Sequence, residues 1–327
     1  MAQATDMHVH IVGNGRDNTG CWLRQRGAHR VFANFISHHI GLPVPMDHPQ
    51  FDRHYVESLL RHVQTSSAGK VVILAHEHVR DEYGNIVDSL GSLYVPNDYV
   101  FALAEKHPVF LPGVSIHPAR PDALDELQRC VDRGAVLMKC LPNCQNIDCS
   151  EPRYTRFWEK MAQCGLPLLA HTGGEHTVPV VNAAYANPER LRLPLQCGVK
   201  VIAAHCGTRS GFNDPDYFPT FVQMTREFKH FYGDTSAFSF PIRGKRIREC
   251  LREPLTSRLV HGSDYPVPVH GIWAWLQGFV RWRDYLASLK IPSLLERDIV
   301  LKRAMGFDGA HFTRVNQLLR LKDGENK

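Results

Sequence analysis

No stretch of the 327-residue chain approaches the ~18 consecutive apolar residues of a membrane-spanning helix, and no basic segment followed by an apolar core opens it as a secretion signal would. The nine cysteines are odd in number and contain no CxxC pair, which excludes a disulfide framework and points to a reducing compartment. The expected location is cytoplasmic. Cys140, Cys144 and Cys149 lie close together in "KCLPNCQNIDC", but no second Cys or His group follows at zinc-finger spacing, so they read as free thiols near a loop. The 38 basic and 33 acidic residues are spread along the chain, with no basic run long enough to track a phosphate backbone. Nucleic acid is therefore not an expected partner, and the densest cluster, "RGKRIRECLRE" (243–253), reads as a solvated helix face. No linker, low-complexity tract or short repeat divides the sequence, so residues 1–327 read as one domain.

With 43% hydrophobic and 22% charged residues, the composition is that of an ordinary globular protein. Eight short runs rich in Val, Ile, Leu and Ala recur along it, at 7–12, 71–76, 109–116, 135–139, 166–171, 199–205, 231–237 and 258–264. Amphipathic stretches lie between them. "FDRHYVESLLRHVQT" carries Tyr55, Val56, Leu59, Leu60 and Val63 as one helical stripe, and "RPDALDELQRCVDRG" opens with Pro121 and Asp122 and stops at Gly134. "DPDYFPTFVQMTREF" and "HGIWAWLQGFVRWRDYLASL" also read as helical.

Nearly continuous apolar strands alternating with helices imply a parallel sheet buried on both faces. Eight such units favour an α/β fold of the closed (β/α)8 TIM-barrel kind. An open dinucleotide-binding sheet is excluded because "HIVGNGRDNTG" after the first run is not GxGxxG. Residues 13–50 read as a long, partly helical insertion after strand 1, placed over the barrel mouth.

At the end of the first run, "TDMHVHIVGNG" places His8 and His10 one residue apart. Strand side chains alternate with period two, so both imidazoles point one way and their nitrogens can converge on a metal. One HxH pair is weak evidence. In a barrel, however, the chemistry sits at the C-terminal strand ends, and there the sequence places His8 and His10 (strand 1), Lys139 (strand 4), His171 (strand 5), His205 (strand 6) and Asp264 (strand 8). Six such residues would share one cavity. Neutral imidazoles with a carboxylate suit Zn²⁺, with Mn²⁺ as an alternative, and catalytic zinc keeps a position open.

Through "MHVHIVG", "VLMKCLPN", "LLAHTG", "VIAAHCG" and "HGSDYP" the chain resembles the amidohydrolase superfamily, and more narrowly its amidohydrolase-2 group. The resemblance implies a metal-dependent enzyme but not a substrate, since related proteins include hydrolases, lactonases, decarboxylases and hydratases. It implies that His8, His10 and Asp264 hold the more buried metal. A carboxylated Lys139 would bridge it to a second metal held by His171 and His205. The rival implied set is mononuclear, with His8, His10, His171 and Asp264 as ligands, His205 free as acid or base, and Lys139 paired with a substrate carboxylate. For hydrolysis, Asp264 would take the proton of the attacking water and pass it to the leaving group.

Further substrate-binding candidates are His117 after strand 3, Glu175 in "HTGGEHTVP" and Arg209 in "HCGTRSG", the last suited to holding a carboxylate. His76 and His78 in "LAHEH" form a second one-apart pair, Asp234 reads as a structural acceptor, and Trp22 and Phe35 could line the pocket. The leading expectation is a hydrolase of a small amide, ester or lactone that carries a carboxylate. The alternatives are a metal-dependent decarboxylase of a ring-opened aromatic catabolite, and a barrel that binds without turnover. The aromatic segment "IWAWLQGFVRWRDYL" would suit a homodimer face. Specificity is expected to reside in loops 13–50 and 78–96.

Overall fold

Each of the eight apolar runs forms a parallel strand in the computed structural model, which describes residues 3–25 and 27–321. The strands are β1 (Ala4–His10), β2 (Ala68–Leu74), β3 (Phe110–Val114), β4 (Leu137–Cys140), β5 (Leu168–His171), β6 (Val201–Ala204), β7 (Phe231–Asp234) and β8 (Leu259–Val260), neighbouring one another in chain order. Beyond β8 the chain returns to β1: the Asp264 N–H donates to the His8 carbonyl at 2.9 Å, and the His10 N–H donates to the Tyr265 carbonyl at 2.7 Å. Those bonds close the barrel.

Strand alternation sorts the apolar side chains into two layers. Val72, Leu74, Leu137, Leu169, Ile202 and Val260 fill the barrel interior, which Val315, Leu318 and Leu319 plug from below. Val71, Ile73, Met138, Ala170 and Ala203 face outward, into the layer built with Leu59, Leu127, Trp158, Phe221 and Ile299 of the surrounding helices. Cys140 and Cys206 also belong to that outer layer, one residue after Lys139 and His205. In β1 the pairing register with β2 shifts between Asp6 and Val9. Met7 therefore lies in the interior and Val9 outside, while the two flanking histidines reach the cavity end. Gly262 permits the close β1–β8 approach, because a Cβ there would stand 2.7 Å from the His8 Cβ.

The helical stripes predict the helices well. "FDRHYVESLLRHVQT" gives Phe51–Gln64, with Tyr55, Val56, Leu59 and Val63 buried. "RPDALDELQRCVDRG" gives Ala123–Asp132, and Gly134 follows with φ +94°, a conformation that favours glycine. "HGIWAWLQGFVRWRDYLASL" is two helices, Ile272–Leu276 and Trp282–Leu289, because the chain turns at Gly278 with φ +74°. Trp273, Trp282, Leu286 and Leu289 are exposed there. "RGKRIRECLRE" differs more from expectation. It forms two short helical turns whose charged residues Lys245, Arg248, Arg252 and Glu253 are exposed as expected, but Arg243 is buried with Gly244, Ile247 and Cys250.

Between β1 and Phe51 the chain forms the helix α1 (Gly27–His39) and a two-residue strand, Trp22–Leu23, paired antiparallel with Leu93–Tyr94. The two expected specificity loops thus touch. Asp52 ties the start of this segment down, accepting the Asn14 N–H at 2.5 Å, the Gly15 N–H at 3.1 Å and the Thr19 hydroxyl.

Candidate metal centre and substrate cavity

The strand ends converge on one cavity of about 370 Å³, lined by His10, His171, His205 and Asp264 together with residues of α1 and of the loops. That volume falls within the roughly 300–1,000 Å³ common for small-molecule sites.

His10 and Asp264 line its floor with His8 buried directly behind them, and among the described residues these three are the one group of three or more candidate ligands able to share an ion. His8 Nε2 stands 3.1 Å from His10 Nε2 and 3.2 Å from Asp264 Oδ1, and His10 Nε2 is 3.4 Å from the same oxygen. Ligand atoms bound tetrahedrally at about 2.0–2.1 Å lie about 3.3 Å apart, so the three separations suit a zinc-sized cation. His171 offers a third imidazole at the cavity, outside that close group of three. Its Nε2 is buried without a hydrogen-bond partner, 3.6 Å from Glu175 Oε2, an arrangement that leaves a lone pair for an ion or a substrate.

The tautomers follow from the hydrogen bonds. His8 Nδ1 lies 2.7 Å from Asp234 Oδ2, a carboxylate that can only accept, so Nδ1 carries the proton and Nε2 presents its lone pair to the floor. His205 Nδ1 is 3.1 Å from the Ser236 carbonyl, which leaves its Nε2 free 3.9 Å from Asp264 Oδ2. Asp234, fully buried, also accepts the His205 N–H at 2.7 Å through its other oxygen. It therefore sets two site histidines at once.

Lys139 Nζ lies 2.9 Å from His8 Nε2, with the side chain almost wholly enclosed. Burial lowers its pKa, because desolvation penalises the ammonium, while the nearby Asp264 and Asp234 oppose the shift. Burial likewise lowers the His8 pKa, reinforced by Lys139, and pushes His171 down to about 4. Burial acts to raise the carboxyl pKa of Asp264, but His8, His10 and Lys139 outweigh it and hold the group below its ordinary range. His8 and His171 are thus held neutral beside an ionised Asp264.

Backbone strain aims two of these side chains. His205 has φ +59° and Asp264 has φ +67°, left-handed values that cost a non-glycine residue about 1–3 kcal/mol and recur at functional sites. Neither was visible in the sequence pattern.

The remaining candidates divide. Glu175 lines the cavity, its Oε1 held by the Val178 N–H at 3.3 Å and by the hydroxyl and N–H of Thr177. His76 lines it as well, but His78 stacks on Tyr94 with ring centroids 3.8 Å apart, so the second one-apart pair does not converge. His117 is corrected from a cavity residue to a buried brace. Its Nε2 donates to the Gln145 carbonyl at 3.0 Å, its Nδ1 accepts the Ala119 N–H at 3.1 Å, and it does not line the cavity. Arg209 is corrected too: it lies half-buried on its loop, 3.7 Å from Asp216, outside the cavity lining. Arg243, the first residue of the supposedly solvated cluster, takes the cavity position instead, its guanidinium holding the Gly174 carbonyl at 2.9 Å and the Thr208 carbonyl at 3.2 Å. Its signal was a lone arginine after a strand-7 loop, which charge density masked. Trp22 and Phe35 are absent from the lining, whereas Phe32 and Ile36 of α1 contribute to it.

His117 carries a pH prediction. Burial pushes its pKa down to about 3, from an ordinary value of 6.5. Between those values the unfolded chain binds a proton that the folded chain does not, so its contribution to stability is present above pH 6.5 and is lost as pH falls toward 3. Urea unfolding of wild type and His117→Gln from pH 7 to 4 checks this. Replacement should flatten the pH dependence by about one proton, and parallel curves would refute the assignment.

A family model described as Amidohydrolase matches residues 5–297. No curated protein matches the chain in sequence. Among solved structures, it is similar to an uncharacterised TIM-barrel protein from Bordetella bronchiseptica, with a TM-score of 0.59 and 16% identity over 93% of this chain and 99% of that one. It is also similar to 5-carboxyvanillate decarboxylase from Sphingomonas paucimobilis, with a TM-score of 0.56 and 11% identity over 98% and 100% of the two chains. A probable 2-pyrone-4,6-dicarboxylic acid hydrolase from Acinetobacter baumannii, crystallised with citric acid, gives a TM-score of 0.52 and 14% identity over 94% and 100%. At these identities the structural likeness establishes the TIM-barrel fold. No helix among the described residues is long and apolar enough to cross a membrane.

Proposed function

The chain belongs to the amidohydrolase family, and from that membership we propose that it is a metal-dependent hydrolase of a small carboxylate-bearing ester, lactone or amide. The observation that carries this reading is the convergence of His8, His10 and Asp264 at ion-sharing distance on the floor of a cavity with Arg243 on its wall. His8, His10 and Asp264 would hold a divalent cation, zinc by ligand chemistry or manganese, with the His171 Nε2 beside them. Bound there, the ion supplies Lewis acidity, which makes water a stronger acid and polarises a substrate carbonyl.

The protein's own groups do the rest. Asp264, ionised, accepts the proton of the attacking water and returns it to the leaving oxygen or nitrogen. His205, neutral with a free Nε2, can accept a proton or a hydrogen bond on the same side of the cavity. Arg243 holds the substrate carboxylate, and Glu175 faces the substrate from the loop after β5. The compact three-ligand floor supports one cation. A Lys139 amine, whose ammonium form desolvation disfavours, would on adding carbon dioxide and releasing a proton supply carbamate oxygens for a second cation with His171 and His205. Intact mass, raised by one carbon dioxide, separates the two states.

The function is tested by isotope. In ¹⁸O-labelled water, metal-loaded protein with a panel of carboxylate-bearing lactones, esters and amides should place the label in the product acid, and elemental analysis should find the metal in proportion to activity. Release of carbon dioxide from aromatic carboxylates, with solvent deuterium taken up at the vacated carbon, would overturn hydrolysis in favour of decarboxylation.

A further inference from the structure

The cavity's two halves differ in chemistry, and the contrast identifies what would fill it. Arg243 is 5% exposed, yet it forms no ion pair with any described residue; its partners, the carbonyls of Thr208 and Gly174 and the Thr208 hydroxyl, carry no formal charge. The cavity carboxylates of Asp264 and Glu175 favour its charge only from beyond ion-pair distance, so the guanidinium, facing the cavity, can still take a direct anionic partner from it. Among the described lining residues it is the one guanidinium, and no lysine is among them. Much of the remaining lining is apolar, with Phe32, Ile36 and Ile40 of the α1 segment joined by Phe240 and Val267.

We propose that the cavity takes a monocarboxylate with an apolar body, aryl or branched alkyl, its acid group against Arg243 and its body against α1. This rests on the reading of the cavity as the substrate site, and it adds the class of molecule that the site selects. A second carboxylate placed against α1 would lose its hydration without gaining a cation. An apolar group there gains transfer free energy instead, about fourfold in affinity per buried methylene.

Calorimetry on the metal-loaded protein with 4-phenylbutyrate, glutarate and 4-phenylbutyramide tests both halves. Glutarate replaces the phenyl end with a second acid, and the amide removes the anionic head. 4-Phenylbutyrate should bind at least about tenfold tighter than either. Ile36→Asp should remove most of its advantage over glutarate, and Phe32→Ala should reduce it. Arg243→Met should bring 4-phenylbutyrate down to the affinity of the amide; if that variant does not fold, the amide on wild type carries the same comparison. Glutarate binding as tightly as 4-phenylbutyrate, or an unchanged preference in Ile36→Asp and Phe32→Ala, would overturn the proposal. Because binding is read without turnover, failure of every hydrolysis assay alongside tight 4-phenylbutyrate binding would remove the hydrolase reading and leave this one standing.

Discussion

Asp264→Asn should reduce turnover by about 10²–10⁴-fold, the scale of a lost general base, and should weaken metal binding as well. The side chain serves twice: Oδ1 lies 3.2 Å from His8 Nε2 and 3.4 Å from His10 Nε2, and Oδ2 lies 3.9 Å from His205 Nε2. Asparagine keeps the shape and can still offer one oxygen, but it carries no charge and cannot accept a proton. Metal content of the purified variant, measured beside its kcat, separates the roles. A variant that retains stoichiometric metal yet loses turnover identifies proton transfer as the dominant loss; one that retains both would end the assignment of Asp264 to the chemistry. The comparison is made at equal folded fraction, since the left-handed φ of Asp264 is tolerated by asparagine.

Asp234→Asn should cost about 10–100-fold in metal affinity or activity, although Asp234 is not one of the ligands on the floor. Its carboxylate fixes the proton on His8 Nδ1 at 2.7 Å and anchors the backbone of His205 at 2.7 Å. Burial acts to raise the Asp234 pKa, but His8, His205 and Ser236 overcome it and keep the carboxyl ionised. An amide in its place can turn its NH2 toward His8, which favours the opposite tautomer and withdraws the Nε2 lone pair from the floor. Titrating the apo variant with zinc against a competing chelator measures the affinity directly. A rescue of activity at high zinc, with kcat near wild type, would show that Asp234 acts through His8 and not on substrate. An affinity equal to wild type would show that the His8 tautomer is set elsewhere.

Much of this architecture was legible because strand physics is local. The eight apolar runs gave eight strands in order, and the residues that end them, His10, Lys139 and His171, lie at those strand ends in the structure. Alternation alone places Cys140 on the opposite side from Lys139. Where the reading failed, the deciding contacts were long-range. His117 lies three residues beyond the end of strand 3, and the Gln145 carbonyl, 28 residues onward, captures its ring and holds it away from the cavity. Arg209 and Arg243 are indistinguishable as loop arginines. Only the packing of Gly174, Thr208 and the loop after β7 buries one and leaves the other half-buried outside the cavity.

The order and spacing of residues by themselves determined the barrel, the set of strand-end side chains and the kind of ion they suit, because period-two alternation and a parallel sheet leave those side chains few directions to point. Tertiary structure alone decided which of them stand close enough to share an ion, which arginine faces the cavity and which apolar residues line it. Those outcomes depend on separations of 3–4 Å between groups up to about 260 residues apart, and a local pattern carries no information at that range.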